Sequence, residues 1–357
     1  MRMSHRLEKV RGLLGAHDAD AALLTFLPDI RWACGFTGSH GLLLVLPDAA
    51  HFVTDGRYLA QAEAEVRGAA VHVPGYDLFG HLAAAGLFGA AQTTLLQAEH
   101  LTLAEMGRIE ALFPAMTWRP VERMLAAFVA EKEPEEVARI REAQRITDEV
   151  FVEILGRLRP GMTEREVAAE IVYGHLRRGA ERMAFDPIVA AGPNGALPHA
   201  RPSDRKIGVG ELVVLDFGGV RDGYASDMTR TVAVGEPGAE ARRIYDVVRQ
   251  AQARALEAAH AGVPSKTLDG VARGVIEAAG YGDYFPHSLG HGIGLQTHEW
   301  PSVSFRSEDP LPLNAAVTIE PGVYLPDRFG VRIEDIIVLR ADGCENLTGA
   351  PKDLVVL

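Results

Sequence analysis

The chain has 357 residues, 47% of them hydrophobic and 24% charged, with a net charge of −12. At ~100–200 residues per domain, that length suggests two domains whose cores need neither metal nor disulfide merely to fold. The acidic balance argues against general nucleic-acid or anionic-membrane binding, because phosphate contact needs a basic field.

The chain opens on Met1-Arg2-Met3-Ser4-His5-Arg6 and runs straight into charged, helix-like sequence without a signal-peptide core. A cytoplasmic location is therefore expected. Residues 4–16 carry apolar positions at helical spacing. Ala21–Phe26, Gly41–Leu46, His51–Thr54, Ala69–Val73, Thr93–Leu96 and Met116–Val121 read as strands. Tyr58–Val66, Asp77–Gly89 and Leu103–Phe113 read as helices. Such alternation predicts a wound α/β sheet. The Gly35-Phe36-Thr37-Gly38-Ser39-His40-Gly41 segment lacks the strand–glycines–helix order of a phosphate loop and reads as a turn. The longest apolar run, Leu82–Ala91, is too short for a bilayer, which takes ~20 residues. Cys34 and Cys344 can form neither a disulfide framework nor a zinc ribbon and read as free thiols in a reducing compartment.

Glu131-Lys132-Glu133-Pro134-Glu135-Glu136 reads as a domain join, giving domains over 1–125 and 126–357. Pro134 and the acids after it suit the first turn of a helix, which runs to about Leu158. Pro160-Gly161 stops it, and Thr163 with Glu166 forms a capping box for the next helix. A faint echo follows. Two helices and the strand Leu212–Phe217 are mirrored by a helix over 239–261, Gly262-Val263-Pro264-Ser265, another helix, and strands near Ala316–Ile319. Two such halves would pack together, and a site could lie between them.

Two hairpins carry acids. Glu211–Phe217 leads through Asp222-Gly223, a strong two-residue turn signal, to the return strand Ala225–Val234, which carries Asp227. Asp216 and Asp227 then lie on one face, at or near one rung. Val317–Tyr324 leads through Pro326-Asp327-Arg328 to Gly330–Val338, which sets Glu320 opposite Glu334. A single acid in a strand usually marks a solvated side. Two hairpins that each place two like charges together gain nothing structurally, unless a divalent cation reverses the sign.

Between the hairpins lies Pro286-His287-Ser288-Leu289-Gly290-His291-Gly292, whose His291 is expected in a glycine-rich loop that lets backbone approach a ligand. His298 follows, ahead of Glu299-Trp300-Pro301, and His199 lies upstream in Leu197-Pro198-His199-Ala200-Arg201-Pro202. Four carboxylates and one imidazole form a hard ligand set that two divalent ions ~3.5–4 Å apart would satisfy. Oxygen-dominated ligands suit Mn²⁺, with Co²⁺ or Zn²⁺ also able to bind.

These residues resemble the pita-bread metallopeptidases, the family of methionine aminopeptidase, Xaa-Pro aminopeptidase and Xaa-Pro dipeptidase (prolidase). The resemblance covers roughly 126–357. It rests on Leu215-Asp216-Phe217-Gly218, Ser226-Asp227-Met228-Thr229-Arg230-Thr231, Gly290-His291-Gly292-Ile293-Gly294, Thr318-Ile319-Glu320-Pro321-Gly322 and Val331-Arg332-Ile333-Glu334-Asp335. Gly35-Phe36-Thr37-Gly38-Ser39 and Thr54-Asp55-Gly56-Arg57-Tyr58 are similar to the N-terminal domain of prolidases and creatinases. The resemblance implies an α/β N-terminal domain of that type and an α+β pita-bread catalytic domain. It implies two divalent metals per subunit, held by Asp216, Asp227, His291, Glu320 and Glu334, with Asp227 and Glu334 bridging. It further implies attack by a bridging hydroxide on the Xaa-Pro bond of a short proline-containing peptide. Glu320 would be ligand and proton shuttle, and His298 would donate to the oxyanion. His199 would contact substrate near the leaving nitrogen, with His287 and Arg332 also on the substrate. A homodimer is implied as well, in which the N-terminal domain of one subunit narrows the other's site.

One position departs from the family. Ser302 stands where many prolidases carry an arginine for the dipeptide carboxylate; Arg306, Arg201 and Arg332 are the candidate substitutes. Dipeptidase is the preferred reading, with an Xaa-Pro aminopeptidase acting on longer peptides as the alternative. A creatinase-type hydrolase and a non-catalytic binding protein rank below both, since all five ligand positions are filled.

Overall fold

The computed structural model describes residues 2–357, with side chains from His5 onward. The chain divides in sequence into two compact units between Val129 and Ala130. The first unit contains α1 (Arg2–Ala16), β1 (Ala21–Leu24), α2 (Leu27–Cys34), β2 (Leu42–Val45), β3 (Ala50–Val53) and α3 (Leu59–Glu65). It continues with β4 (Ala70–His72), α4 (Leu78–Ala84), β5 (Thr93–Gln97), α5 (Leu103–Leu112) and β6 (Thr117–Val121), and α6 (Ala126–Ala130) follows. The strands form one mixed sheet in the order β4-β3-β2-β1-β5-β6. Its centre, β1-β2-β3, is antiparallel, and its outer pairs are parallel. Leu23, Leu44 and Leu96 of the sheet are buried with Phe79, Leu82 and Ile109 of the helices.

One helix here was not among the expected elements, and one expected helix is shorter, both for backbone reasons. Leu27–Cys34 is a helix with Pro28 in its first turn, where proline's fixed φ is favourable rather than breaking. The helix expected over Asp77–Gly89 stops at Ala84, and Gly86 and Gly89 then turn the chain with φ of 60° and 57°.

The second unit begins with α7 (Pro134–Arg157) and α8 (Glu164–Arg177). The capping box expected for α8 is present: Glu166 N–H donates to Thr163 Oγ1 at 3.1 Å, and Thr163 N–H to Glu166 Oε2 at 2.7 Å. Next come β7 (Arg182–Met183), β8 (Ile188–Ala191), β9 (Glu211–Phe217), β10 (Gly219–Arg221), β11 (Tyr224–Ala225) and β12 (Met228–Val234). Helices α9 (Ala239–Ala258) and α10 (Ser265–Ala278) lead to β13 (Gly290–Gly292), β14 (Glu299–Val303), β15 (Ala316–Ile319) and β16 (Gly322–Leu325). The last strands are β17 (Phe329–Arg332), β18 (Asp335–Arg340) and β19 (Gly343–Asn346).

The faint echo in the sequence corresponds to two helix-on-sheet layers. Ile146, Val150 and Ile154 of α7, with Ile171 of α8, pack on Val213, Leu215 and Val232 of the β12-β9-β8 sheet. Ile244 and Val248 of α9, with Leu268 and Ile276 of α10, pack on Val317, Ile319 and Ile337 of the β14-β13-β15-β18-β19 sheet. Each such aliphatic side chain contributes about 1.5–3 kcal/mol on full burial, which makes both sheets rigid platforms. No described helix is long and apolar enough to cross a membrane.

Candidate metal centre and active-site cavity

The first hairpin turns through Asp222 and Gly223, both with positive φ (49° and 78°), as a two-residue turn between twisted strands requires. Its register sets Asp216 opposite Thr229, so Asp227, two residues before Thr229, shares the face of Asp216. Gly218 is required between them: a Cβ there would stand 1.8 Å from the Ser226 carbonyl oxygen. In the second hairpin Ile319 pairs with Asp335 and Gly322 with Arg332. Both pairs keep one register, which puts Glu320 opposite Glu334. Asp327 takes the left-handed conformation, φ 58°, in the three-residue turn that fixes this register.

The two hairpins are stitched together at the acids. Glu334 N–H donates to Thr229 O at 3.1 Å, and Thr231 Oγ1 donates to Arg332 O at 3.0 Å. Glu320 N–H donates to Leu289 O at 2.8 Å, which ties in the segment leading to β13. His291 lies in β13, a strand, which corrects the expectation of a loop. Its flanking glycines serve strand packing: a Cβ on Gly290 would stand 1.9 Å from Thr318 O, and one on Gly292 2.6 Å from Glu299 O.

A cavity of about 530 Å³ opens over this junction. Asp216, Asp227, His291, Glu320 and Glu334 line it, as do His199, His287, His298 and Arg332. Ligand atoms of Asp227, His291 and Glu334 all lie within 4.8 Å of one another. His291 Nε2 is 3.8 Å from Asp227 Oδ2 and 3.4 Å from Glu320 Oε1.

The electrostatics fit a cation. Burial first, then repulsion from Glu334 and Asp216, pushes the Asp227 carboxyl well above its ordinary range. Glu334 is raised in the same way by burial and then Glu320. Glu320 is raised to about 7, chiefly by burial. The Oδ1 atoms of Asp216 and Asp227 are buried without a hydrogen-bond partner. His291 Nδ1 donates to Gly292 O at 3.0 Å, and burial keeps the ring neutral. Its Nε2 lone pair therefore faces carboxyl oxygens, an arrangement that an intervening cation would make favourable.

The outer residues divide into two kinds. His199 and His298 are exposed, and their ring nitrogens make no hydrogen bond to any described residue. The His298 ring lies against His291 with centroids 4.2 Å apart and planes tilted by 59°, and partial desolvation lowers it to about 4. His287 is committed on both sides. Its Nδ1 donates to Ser288 O at 2.8 Å, and its Nε2 accepts from Tyr324 OH at 2.9 Å. Arg332 is committed as well. It donates to Thr229 Oγ1 (3.0 Å), Tyr324 OH (2.7 Å), Pro198 O (3.2 Å) and Asp216 Oδ2 (2.5 Å). His287 and Arg332 thus line the cavity while their hydrogen bonds also brace Asp216 and the His199 turn.

Sequence reasoning missed Tyr324, Thr229 and Thr318. Tyr324 links Arg332 to His287. Thr229 Oγ1 donates to Glu334 Oε2 at 2.7 Å, and Thr318 Oγ1 donates to Glu320 Oε1 at 3.2 Å. The hairpin registers carried the signal for both threonines, since Thr229 is the rung partner of Asp216 and Thr318 is two residues from Glu320 on the same face.

A pita-bread fold presenting carboxylates and one histidine to a cavity defines a class, the metallohydrolases. Residues 138–341 match the model of metallopeptidase family M24, and residues 6–128 match the creatinase/prolidase N-terminal domain. The chain belongs to metallopeptidase family M24, so it is a hydrolase acting on peptides with a divalent metal. It is 40% identical to the peptidase YqhT of Bacillus subtilis over 99% of this chain and 100% of that one. The solved Xaa-Pro dipeptidase from Bacillus anthracis superposes with a TM-score of 0.96 at 36% identity, covering 99% of this chain and 100% of that one. The X-Pro aminopeptidase from Thermotoga maritima gives 0.91 at 38% identity, covering 98% and 100%.

Proposed function

We propose that this chain is an Xaa-Pro dipeptidase whose metal ligands are Asp216, Asp227, His291, Glu320 and Glu334. The observation that carries the reading is the set of buried, mutually repelling acids around the unprotonated Nε2 of His291, beside a cavity with two uncommitted histidines. Two divalent ions held there would supply Lewis-acid polarisation of the scissile carbonyl and activation of water.

The chain's own residues do the rest. Glu320, on the cavity wall, takes the proton of the attacking water on a carboxylate oxygen and returns it to the proline nitrogen, a poor leaving group until protonated. His298, neutral at physiological pH, donates a ring N–H to the oxygen that gains charge at the scissile carbonyl. His199 stands at the cavity with free ring nitrogens and contacts substrate beside the leaving nitrogen. Arg332 and Thr229 hold Asp216 and Glu334 in place, so that the acids need not reorganise during turnover.

The likeness to the Thermotoga aminopeptidase supports a second reading, cleavage of longer Xaa-Pro peptides. Manganese as the native ion, a homodimer, the 1–125/126–357 domain division and a cytoplasmic location belong to the same proposal. The first two rest on family resemblance, and the location also rests on the two free cysteines. The test is turnover of Leu-Pro beside Leu-Pro-Pro by protein stripped with chelator and reloaded with Mn²⁺ or Co²⁺. Hydrolysis of Leu-Pro alone, lost on stripping and restored by metal, is expected. Full activity of the stripped protein overturns the reading, and cleavage of Leu-Pro-Pro alone transfers it to the aminopeptidase.

A further inference from the structure

We infer that Arg201 is the residue that grips the free carboxylate of the substrate and thereby selects peptides ending at the proline. The inference rests on the proposed Xaa-Pro reading.

Arg201 lines the same cavity as His199 and Glu320. Its side chain is exposed and makes no hydrogen bond, ion pair or ring contact with any described residue. A guanidinium is always charged and carries five N–H donors in a fork matched to a carboxylate. The other arginine of the cavity wall, Arg332, already spends donors on Thr229, Tyr324, Pro198 and Asp216. Arg306 is not on the cavity wall; it stacks on Phe305 at 5.0 Å. Ser302, opposite His291 in the β13–β14 pair, offers a hydroxyl and no charge. Asp186 also lines the cavity but forms no ion pair with Arg201, so the fork stays open.

The segment that carries Arg201 is held from both sides. Ala200 packs with Ala190 and Val214 in a small buried cluster. Ser203 donates to the fully buried Glu164 from its N–H at 3.0 Å and its hydroxyl at 2.6 Å. Pro202 adds a fixed φ directly after Arg201. The chain therefore presents the guanidinium from a braced turn rather than a free loop. Arg201 stands two residues from His199, which the proposed reading puts beside the proline nitrogen. In a dipeptide the carboxylate is attached to the carbon next to that nitrogen. In a longer peptide the same position is a neutral amide, which a guanidinium holds less tightly.

The experiment compares the metal-loaded wild type with R201A and R201K on Leu-Pro and on Leu-Pro-amide, which lacks the terminal charge. Wild type is expected to favour Leu-Pro. In R201A that preference in kcat/KM falls at least about tenfold, as loss of a charged hydrogen bond predicts, and the fall comes through KM. R201K, which keeps the charge without the fork, recovers part of it. A preference unchanged in R201A, with both peptides still cleaved, overturns this inference and leaves the Xaa-Pro reading standing. A wild type that cleaves neither peptide overturns both.

Discussion

Glu334 and Asp335 are neighbours in the chain, both almost wholly buried at 2% and 0% exposure, and they meet opposite electrostatic fates. Asp335 accepts from Arg230 Nη2 at 2.7 Å, Lys352 Nζ at 2.5 Å and Asn346 Nδ2 at 2.7 Å. Burial alone would raise its carboxyl, but Arg230 and then Lys352 hold it below the ordinary value. Glu334 turns to the other side, towards Asp227, Glu320 and Asp216, and is raised well above its ordinary value by burial, then Glu320 and Asp216. A buried acid with its cations built in is structural. A buried acid surrounded by other acids is, in the proposed reading, a binding site for a cation that the chain does not supply.

Single substitutions on the two sides should therefore act on different quantities. Asp227→Asn should cost at least a hundredfold in turnover together with metal content measured by mass spectrometry, since even indirect supports of a metal cost 10–100-fold. In metal-free protein the same change should raise the melting temperature by removing one like charge. A D227N enzyme with full metal content and rate would break the contrast. Asp335→Asn strands the buried Arg230 and should lower unfolding free energy by about 3–5 kcal/mol in urea titrations, with or without metal. A D335N variant as stable as wild type would show that the pair does not anchor the fold.

The same contrast extends to pH. Glu320 is raised from its ordinary 4.5 to about 7 in the metal-free chain, and Asp227 and Glu334 are likewise raised well above their ordinary values. Between those limits the folded chain binds more protons than the unfolded one. Unfolding free energy should then fall as pH rises from 4.5 through 7, by about 1.4 kcal/mol per pH unit for each such group at the steepest. Saturating metal should flatten this slope. Thermal melts of stripped protein that gain stability over the same range would contradict the assignment.

Much of the site was legible because strand geometry is periodic. The Asp222-Gly223 turn and the three-residue turn around Asp327 each dictate a register, and register alone puts Asp216 with Asp227 and Glu320 with Glu334. Periodicity did not reveal why glycines flank His291, because the reason lies on neighbouring strands rather than in the segment itself. The commitments of His287 and Arg332 were hidden for a similar reason. A histidine or arginine near a site has the composition of a substrate ligand until its partners are known, and those partners, Tyr324 and Thr229, come from other elements.

The order of residues determined the local facts: which acids share a strand face, where helices cap, and that the chain carries a complete set of candidate ligands. Only the tertiary structure decided which side chains remain free. Packing satisfies polar groups across elements far apart in the chain, so most donors of Arg332 are engaged while Arg201, of the same chemistry, stays open to the cavity.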